Sequence, residues 1–292
     1  MFVSGFTIAR NVVQADYPLK EAVFSILDLC DEFIISVGHS NDNTLEFVRS
    51  FNHPKIKIIE TVWDDNLRTG GKVLAEETNK AKAAVNPDAD WLFYIQADEC
   101  VHEDDLPAIR QAMETYFSHP GVEGLLFDYV HFYGSYDFVG DSRTWYRKEI
   151  RIIRNRKDIF SYRDAQGFRK EPNQKLHVAD AGARVFHYGW VKHPEAQQQK
   201  QMQFHRMWHG DEYMEKNIAG ADSFDYSKID SLARFEGSHP RVMQARIDRM
   251  NWTFSFDITQ KNFGLKNRLL YWLEKYTGWR PGEYKNYIRE KS

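Results

Sequence analysis

The chain has 292 residues, a formal net charge of −3, 42% hydrophobic and 15% aromatic residues, and two cysteines, Cys30 and Cys100. That length buries a sizeable core and suits one large α/β domain or one domain with an appendage. The near-neutral charge excludes a general nucleic-acid binder, which needs a strongly basic face, and two cysteines are too few for a disulfide framework or a closed zinc site, so a reducing, cytoplasmic setting is expected. Residues 2–8 carry no basic leader and read as a first strand rather than a signal peptide. A helix is predicted over 17–29, with Pro18 in its first turn. Strand 31–37, a turn cluster at 38–43 and a short helix over 44–50 follow. Strand 56–59 leads to a helix opened by Gly70-Gly71 and ending near residue 84, and 91–95 is the fourth strand. This order predicts a mostly parallel sheet with right-handed crossovers.

Beyond that point the pattern changes. A helix is expected over 104–119, capped by Asp104. Strands are expected at 122–133, at 145–154 and at 185–191, the middle one with alternating character at Glu149-Ile-Arg-Ile-Ile. After His193 the chain turns polar and helical. The boundary therefore falls between residues 1–192, the sheet domain, and 193–292, a helical region packed on it rather than independent. No apolar run has the length of a membrane span.

The most informative stretch is Trp91-Leu-Phe-Tyr-Ile-Gln-Ala-Asp-Glu99, an apolar run that ends in two carboxylates. Ligands of open α/β sheets gather at the carboxyl ends of the strands, where Asp98 and Glu99 would sit. The plainer alternative is a polar lead into the next helix, since Glu103, Asp104 and Asp105 follow. Three loops, Ala9-Arg10-Asn11, Gly38-His39-Ser40 and Gln96-Ala97-Asp98-Glu99, fall on the same sheet edge. Together they can form a crevice that offers a nucleotide backbone donors, a base slot and a counter-charge. Glycine-rich dinucleotide and P-loop motifs are missing. Phosphate neutralisation then comes from elsewhere, and a divalent cation, Mg²⁺ or Mn²⁺, on Asp98 is the economical source. Gly70-Gly71-Lys72 is either an anion cradle at a helix start or a plain helix entry.

Residues 2–103 resemble the family 2 glycosyltransferases of the GT-A fold. The resemblance rests on the loop Thr7-Ile-Ala-Arg-Asn11, the pair Asp31-Glu32 before the second strand, the turn Ser40-Asn-Asp-Asn-Thr44, and Gln96-Ala97-Asp98 where the family carries its metal-binding Asp-x-Asp motif. Farther on, Phe186-His187-Tyr-Gly-Trp190 resembles a segment whose histidine reaches the metal in some relatives. The resemblance implies an α/β, GT-A type fold with a Rossmann-like sheet flanked by helices. It implies a metal-dependent enzyme moving sugar from a nucleoside-diphosphate sugar to a glycan or lipid-linked acceptor hydroxyl, in surface glycan synthesis at the inner face of a membrane. Asp98, Glu99 and His187 are the implied metal ligands. Ala9, Arg10, Asn11, Val37, His39, Ser40, Gly70, Lys72, Gln96 and Ala97 are the expected donor contacts. Two positions depart from the family: Val37 replaces a nucleotide-contacting aspartate, and Gln96 replaces the first aspartate of Asp-x-Asp.

An inverting transfer needs a carboxylate to take the acceptor proton. Asp128, Asp137, Asp141 and Glu149 are candidates, Glu149 first and Asp141 second. Strand alternation places Arg147, Glu149 and Arg151 on one face, so Glu149 also suits an ion-pair role. Arg147, Lys148 and Arg151 are candidate diphosphate partners. His187 reads either as a core histidine or as a ligand, and His205 with His209 as a metal pair or an exposed helix face. Tyr133, Tyr136, Phe138, Trp145 and Trp190 suit a sugar-stacking platform or the core. Residues 266–276 suit the protein's own core or an anionic membrane surface. Two alternatives remain: a non-catalytic nucleotide- or carbohydrate-binding protein on the same fold, and a nucleotidyltransferase, whose glycine-rich first loop Ala9-Arg-Asn-Val-Val13 lacks. The leading reading requires Asp98 to face a cleft without being neutralised by an internal arginine.

Overall fold

The first third of the chain alternates β1 (Val3–Ala9), α1 (Leu19–Ile26), β2 (Glu32–Gly38), α2 (Thr44–Arg49), β3 (Ile56–Thr61), α3 (Lys72–Ala83) and β4 (Trp91–Tyr94). This is a computed structural model, and it describes residues 1–67, 70–206 and 222–290. Strands β1, β2 and β4 are almost entirely buried, as near-continuous apolar runs are when helices cover both faces. They pair in parallel in the order β3-β2-β1-β4. Glu32 is the charged exception inside this core. Its carboxylate accepts from Ser4, Lys57 and the Asn86 backbone, so no polar atom is left stranded.

The rest corrects the expectation of a mostly parallel sheet. After β5 (Glu99–Val101) and α4 (Leu106–Phe117) come β6 (Gly124–Tyr133), β7 (Ser135–Gly140), β8 (Lys148–Arg154), β9 (Ile159–Tyr162), β10 (Gly167–Lys170) and β11 (Gln174–Trp190). Here short turns replace crossover helices, so β4–β8, β6–β8 and β9–β10 pair antiparallel, while β6 and β11 run parallel. The result is a mixed α/β sheet. Asp104 is not the cap of α4. It lies in a 3₁₀ turn whose backbone N–H is accepted by the His102 ring. β11 has 17 residues, Gln174–Trp190, where a strand was expected only over 185–191. Its first part is rich in Ala, Gly and polar residues, and Gly182, at φ 67°, marks a register shift against β6.

After residue 193 come α5 (Pro194–Arg206), β12 (Leu232–Arg234), α6 (Gln244–Asp248), α7 (Leu265–Thr277) and β13 (Tyr287–Arg289). The region is therefore not helical alone: β12 pairs with β7 and β13 with β11, in the same sheet. Helix α7 is anchored by Tyr271 on Asp141 and by Glu274 on Arg143. Its Leu265, Leu269, Trp272 and Tyr276 are exposed, so most of this stripe does not pack into the core. Among the described residues no helix is long and apolar enough to cross a membrane.

Candidate functional site

The chain runs outward from β1 to β2 and β3, then returns to place β4 on the other side of β1. A crevice is left at that reversal, beyond the carboxyl ends of the strands. A cleft of about 690 Å³ opens there, with Arg10, Asn11, Gln96, Ala97 and Asp98 in its lining.

The turn after β2 shapes the rim. Ser40 Oγ accepts from the Asn11 N–H (3.0 Å) and donates to the Gly38 carbonyl (2.8 Å). Asn11 Oδ1 accepts from the Asn41 N–H (2.8 Å), and Thr44 Oγ1 from the Val12 N–H (2.9 Å). Asn11 takes φ 52°, a left-handed conformation that asparagine tolerates. The Ser40-x-Asp42-x-Thr44 turn therefore holds the β1 loop in place. Arg10 makes a two-point bond to Asp65 and lies over the ring of Trp63, 5.4 Å from its centre. Trp63 is buried with no protein partner for its indole N–H, and it lines the cleft.

Asp98 forms the floor and is buried. Its Oδ2 accepts from Lys200 Nζ at 2.9 Å, and Lys200 also donates to the Gly189 carbonyl at 2.7 Å. Burial pushes the Asp98 carboxyl up, but the Lys200 ammonium outweighs it and holds the group well below the usual carboxylate range. Burial lowers Lys200, yet Asp98 more than compensates, so the lysine stays charged. His187 Nε2 stands 3.8 Å from Asp98 Oδ2. The His187 tautomer follows from its neighbour. The Tyr146 carbonyl can only accept, so His131 Nε2 carries the hydrogen (2.8 Å), and burial keeps His131 neutral, its pKa pushed down to about 3. His131 Nδ1 then accepts from His187 Nδ1–H (3.2 Å), which leaves the His187 Nε2 lone pair facing Asp98.

Several expected site residues lie elsewhere. Glu99 is fully buried against Arg151, with 2.8 and 2.7 Å bonds, and also accepts from the Tyr129 hydroxyl and the Gln96 N–H. It braces the Asp98 turn from behind and does not reach the cleft. Arg151 is thereby unavailable to a diphosphate. Arg147 pairs with Glu283, and Lys148 with Asp128. Glu149 is therefore not the ion-pair partner of its neighbours. It is buried at a second cavity, and burial pushes its carboxyl up to about 7 against the pull of Arg151. Asp141 binds Ser231, Lys261 and Tyr271 and ties down the C-terminal region. Ala9 and Val37 are core residues. His39 is exposed, and Gly70 and Lys72 stand outside the cleft lining. Of the aromatic set only Trp190 reaches the cleft, because Tyr133 and Phe138 pack with Tyr226 and Leu232. His205 lines the cleft, while His209 lies outside the described residues.

Lys200, Tyr17, Trp63 and Asp164 line the cleft without having been singled out in the sequence. Lys200 sits in the Gln-rich stretch 195–203, which carries no motif. Asp164 lines both cavities and takes part in no ion pair among the described residues; burial raises its pKa against its backbone hydrogen bonds.

The donor set does not fit the implied divalent cation. Its one cleft-facing carboxylate of the metal motif already binds an ammonium, on the oxygen that His187 faces. Glu99 is committed to Arg151, and Gln96 donates its amide to the Ala165 carbonyl. A dication about 4 Å from an ammonium meets a repulsion of roughly 8 kcal/mol at an effective dielectric constant near 20. Among the described residues no three His, Cys, Asp or Glu side chains are grouped to hold a metal ion.

No protein-family model matches the chain, and no curated protein does. Among solved structures it is similar to S. aureus TarS, at 11% identity over 76% of this chain and 41% of that one, with a TM-score of 0.39. It is also similar to TarS 1–349 in complex with UDP, at 16% identity over 45% and 36% of the two chains and a TM-score of 0.33. A third is glucosyl-3-phosphoglycerate synthase from Mycobacterium tuberculosis in complex with Mn²⁺, UDP and phosphoglyceric acid, at 16% identity over 44% and 43% and a TM-score of 0.31. The chain thus spans less than half the length of each of these three.

Proposed function

We propose that the protein is a glycosyltransferase that takes its sugar from a nucleoside-diphosphate sugar. The observation that carries this reading is the convergence of Arg10, Asn11, Gln96 and Asp98 on one cleft at the reversal of the strand order. These residues belong to separate motifs whose order in the chain resembles that of GT-A enzymes. The cleft volume, about 690 Å³, lies in the range of small-ligand sites.

In this reading the acceptor hydroxyl attacks the anomeric carbon, the bond to the diphosphate breaks with its electron pair, and the hydroxyl proton passes to a carboxylate. Asp164 takes that role. Asp65 pairs with Arg10, Asp98 with Lys200, and Asp64 accepts from Asn66, so Asp164 is the cleft carboxylate best placed to take a proton. It stands where the donor cleft meets the second cavity of about 260 Å³, which suits an acceptor. The exposed stripe on α7, flanked by Lys266, Arg268 and Lys275, favours a lipid-linked acceptor at an anionic membrane surface.

A thermal-shift screen of nucleoside-diphosphate sugars tests the reading. A ligand bound only by the folded chain stabilises it by about 2.7 kcal/mol at a hundredfold excess over Kd. At least one such sugar should raise the melting temperature and be slowly hydrolysed. If none does, the proposal is wrong.

A further inference from the structure

Resting on the reading above, we propose that Lys200 replaces the divalent metal of this site and that its ammonium holds the diphosphate of the donor. The site would then work without a metal ion.

The geometry is built for this. The β11 strand ends at Trp190, and α5 starts at Pro194, a residue suited to a first helical position. Within two turns α5 delivers Lys200 to the cleft, about nine-tenths buried. An ammonium has three donors. One goes to Asp98 and one to the Gly189 carbonyl, which fix the head group and leave a third donor on a residue that lines the cleft. Asp98 thus keeps the position of a metal-binding aspartate but orients a lysine.

A second buried lysine stands nearby, and burial lowers its pKa to about 7, so it adds only part of a charge near neutral pH. Lys192 is fully buried and donates to the Asp16 carbonyl at 2.6 Å. Both amino groups stand against the Tyr17 ring, at 4.7 Å for Lys192 and 4.9 Å for Lys200. Stabilising a departing diphosphate is an electrostatic task, and a fixed ammonium in a water-poor site can perform it. Gln96 in place of an acidic residue also fits, since an extra carboxylate would cancel Lys200 rather than recruit a metal.

The test is calorimetric titration of UDP, GDP, CDP and dTDP into the full chain, in EDTA and in Mn²⁺, for wild type, K200M and K200R. At least one diphosphate should bind wild type equally well in both buffers. K200M should weaken binding in EDTA by about tenfold or more, the loss of a charge-assisted hydrogen bond. Mn²⁺ should restore binding to K200M, because the Asp98 oxygen is then free, and K200R should bind in EDTA. Removing one partner of a buried ion pair strands the other. If K200M does not fold, D98N/K200M, which strands no charge, takes its place and should show the same weakening in EDTA. Wild-type binding that needs Mn²⁺ overturns the role of Lys200 and leaves the donor site standing. Undiminished binding in EDTA by a folded variant lacking Lys200 does the same. If no diphosphate binds in either buffer, both proposals fall.

Discussion

Asp164 stands between Arg163 and Ala165, which adopt φ 55° and 61°. Neither is glycine, and such left-handed residues cost about 1–3 kcal/mol each and cluster at functional sites. The hairpin between β9 and β10 holds this shape at the join of the two cavities. Gly189 meets a constraint of another kind. A Cβ there would lie 2.6 Å from His187 Nε2 and 2.8 Å from Asp98 Oδ2, so only glycine lets β11 pass so close to the floor of the cleft. For Asp164→Asn we expect kcat to fall about a hundredfold or more, the usual contribution of a general base, with donor affinity unchanged. Steady-state kinetics beside equilibrium binding separates the two effects. A kcat near wild type would remove Asp164 from the mechanism.

At the scale of elements, the parallel half was readable because each strand is an apolar run between turn signals. The metal-like motif was readable for the same reason: β4 ends abruptly at Gln96-Ala97-Asp98. The fate of Glu99 was hidden by its neighbour. Adjacent residues point to opposite sides, so Asp98 enters the cleft while Glu99 turns inward to an arginine 52 residues later in the chain. Lys200 was not legible at all. Nothing in the polar helix 195–205 distinguishes this lysine, and its partner is 102 residues away. The start of β11 was missed because Ala and Gly weaken strand periodicity, and the hairpin β9–β10 because its strands have four residues each. Helix α7 was read as a stripe, and its spacing explains its exposure. Leu265, Leu269, Trp272 and Tyr276 share one face, with Lys266 on one flank and Arg268 and Lys275 on the other. Tyr271 and Glu274 hold the opposite side. We expect wild type to co-sediment with phosphatidylserine-containing vesicles and the double variant Leu269→Glu/Trp272→Glu to lose about tenfold in partitioning, from lost apolar burial and added repulsion. Equal partitioning of the two would leave the stripe unexplained by a membrane.

At the scale of the whole molecule, Glu149 ties stability to pH. It lies where β8, the β9–β10 hairpin and the C-terminal segment meet, with Gly167 and Asn286 beside it. Burial raises its pKa from the ordinary 4.5 to about 7, against the pull of Arg151. Between those values the folded chain keeps a proton that the unfolded chain has lost. Stability from this group therefore declines as pH rises from about 4.5 to 7 and levels off above that, by up to about 3 kcal/mol. Asp98 has the opposite sign: its lowered pKa contributes stability above the unfolded carboxylate range and loses it in acid. The two act in different windows, so a difference between variants isolates Glu149. Glu149→Gln removes the titration at nearly constant volume. Denaturant midpoints for wild type and variant should lie closest at and below about pH 4.5 and diverge in favour of the variant up to about pH 7.5, with no further divergence beyond. Parallel pH profiles would mean that the second cavity admits enough water to keep this carboxylate ionised.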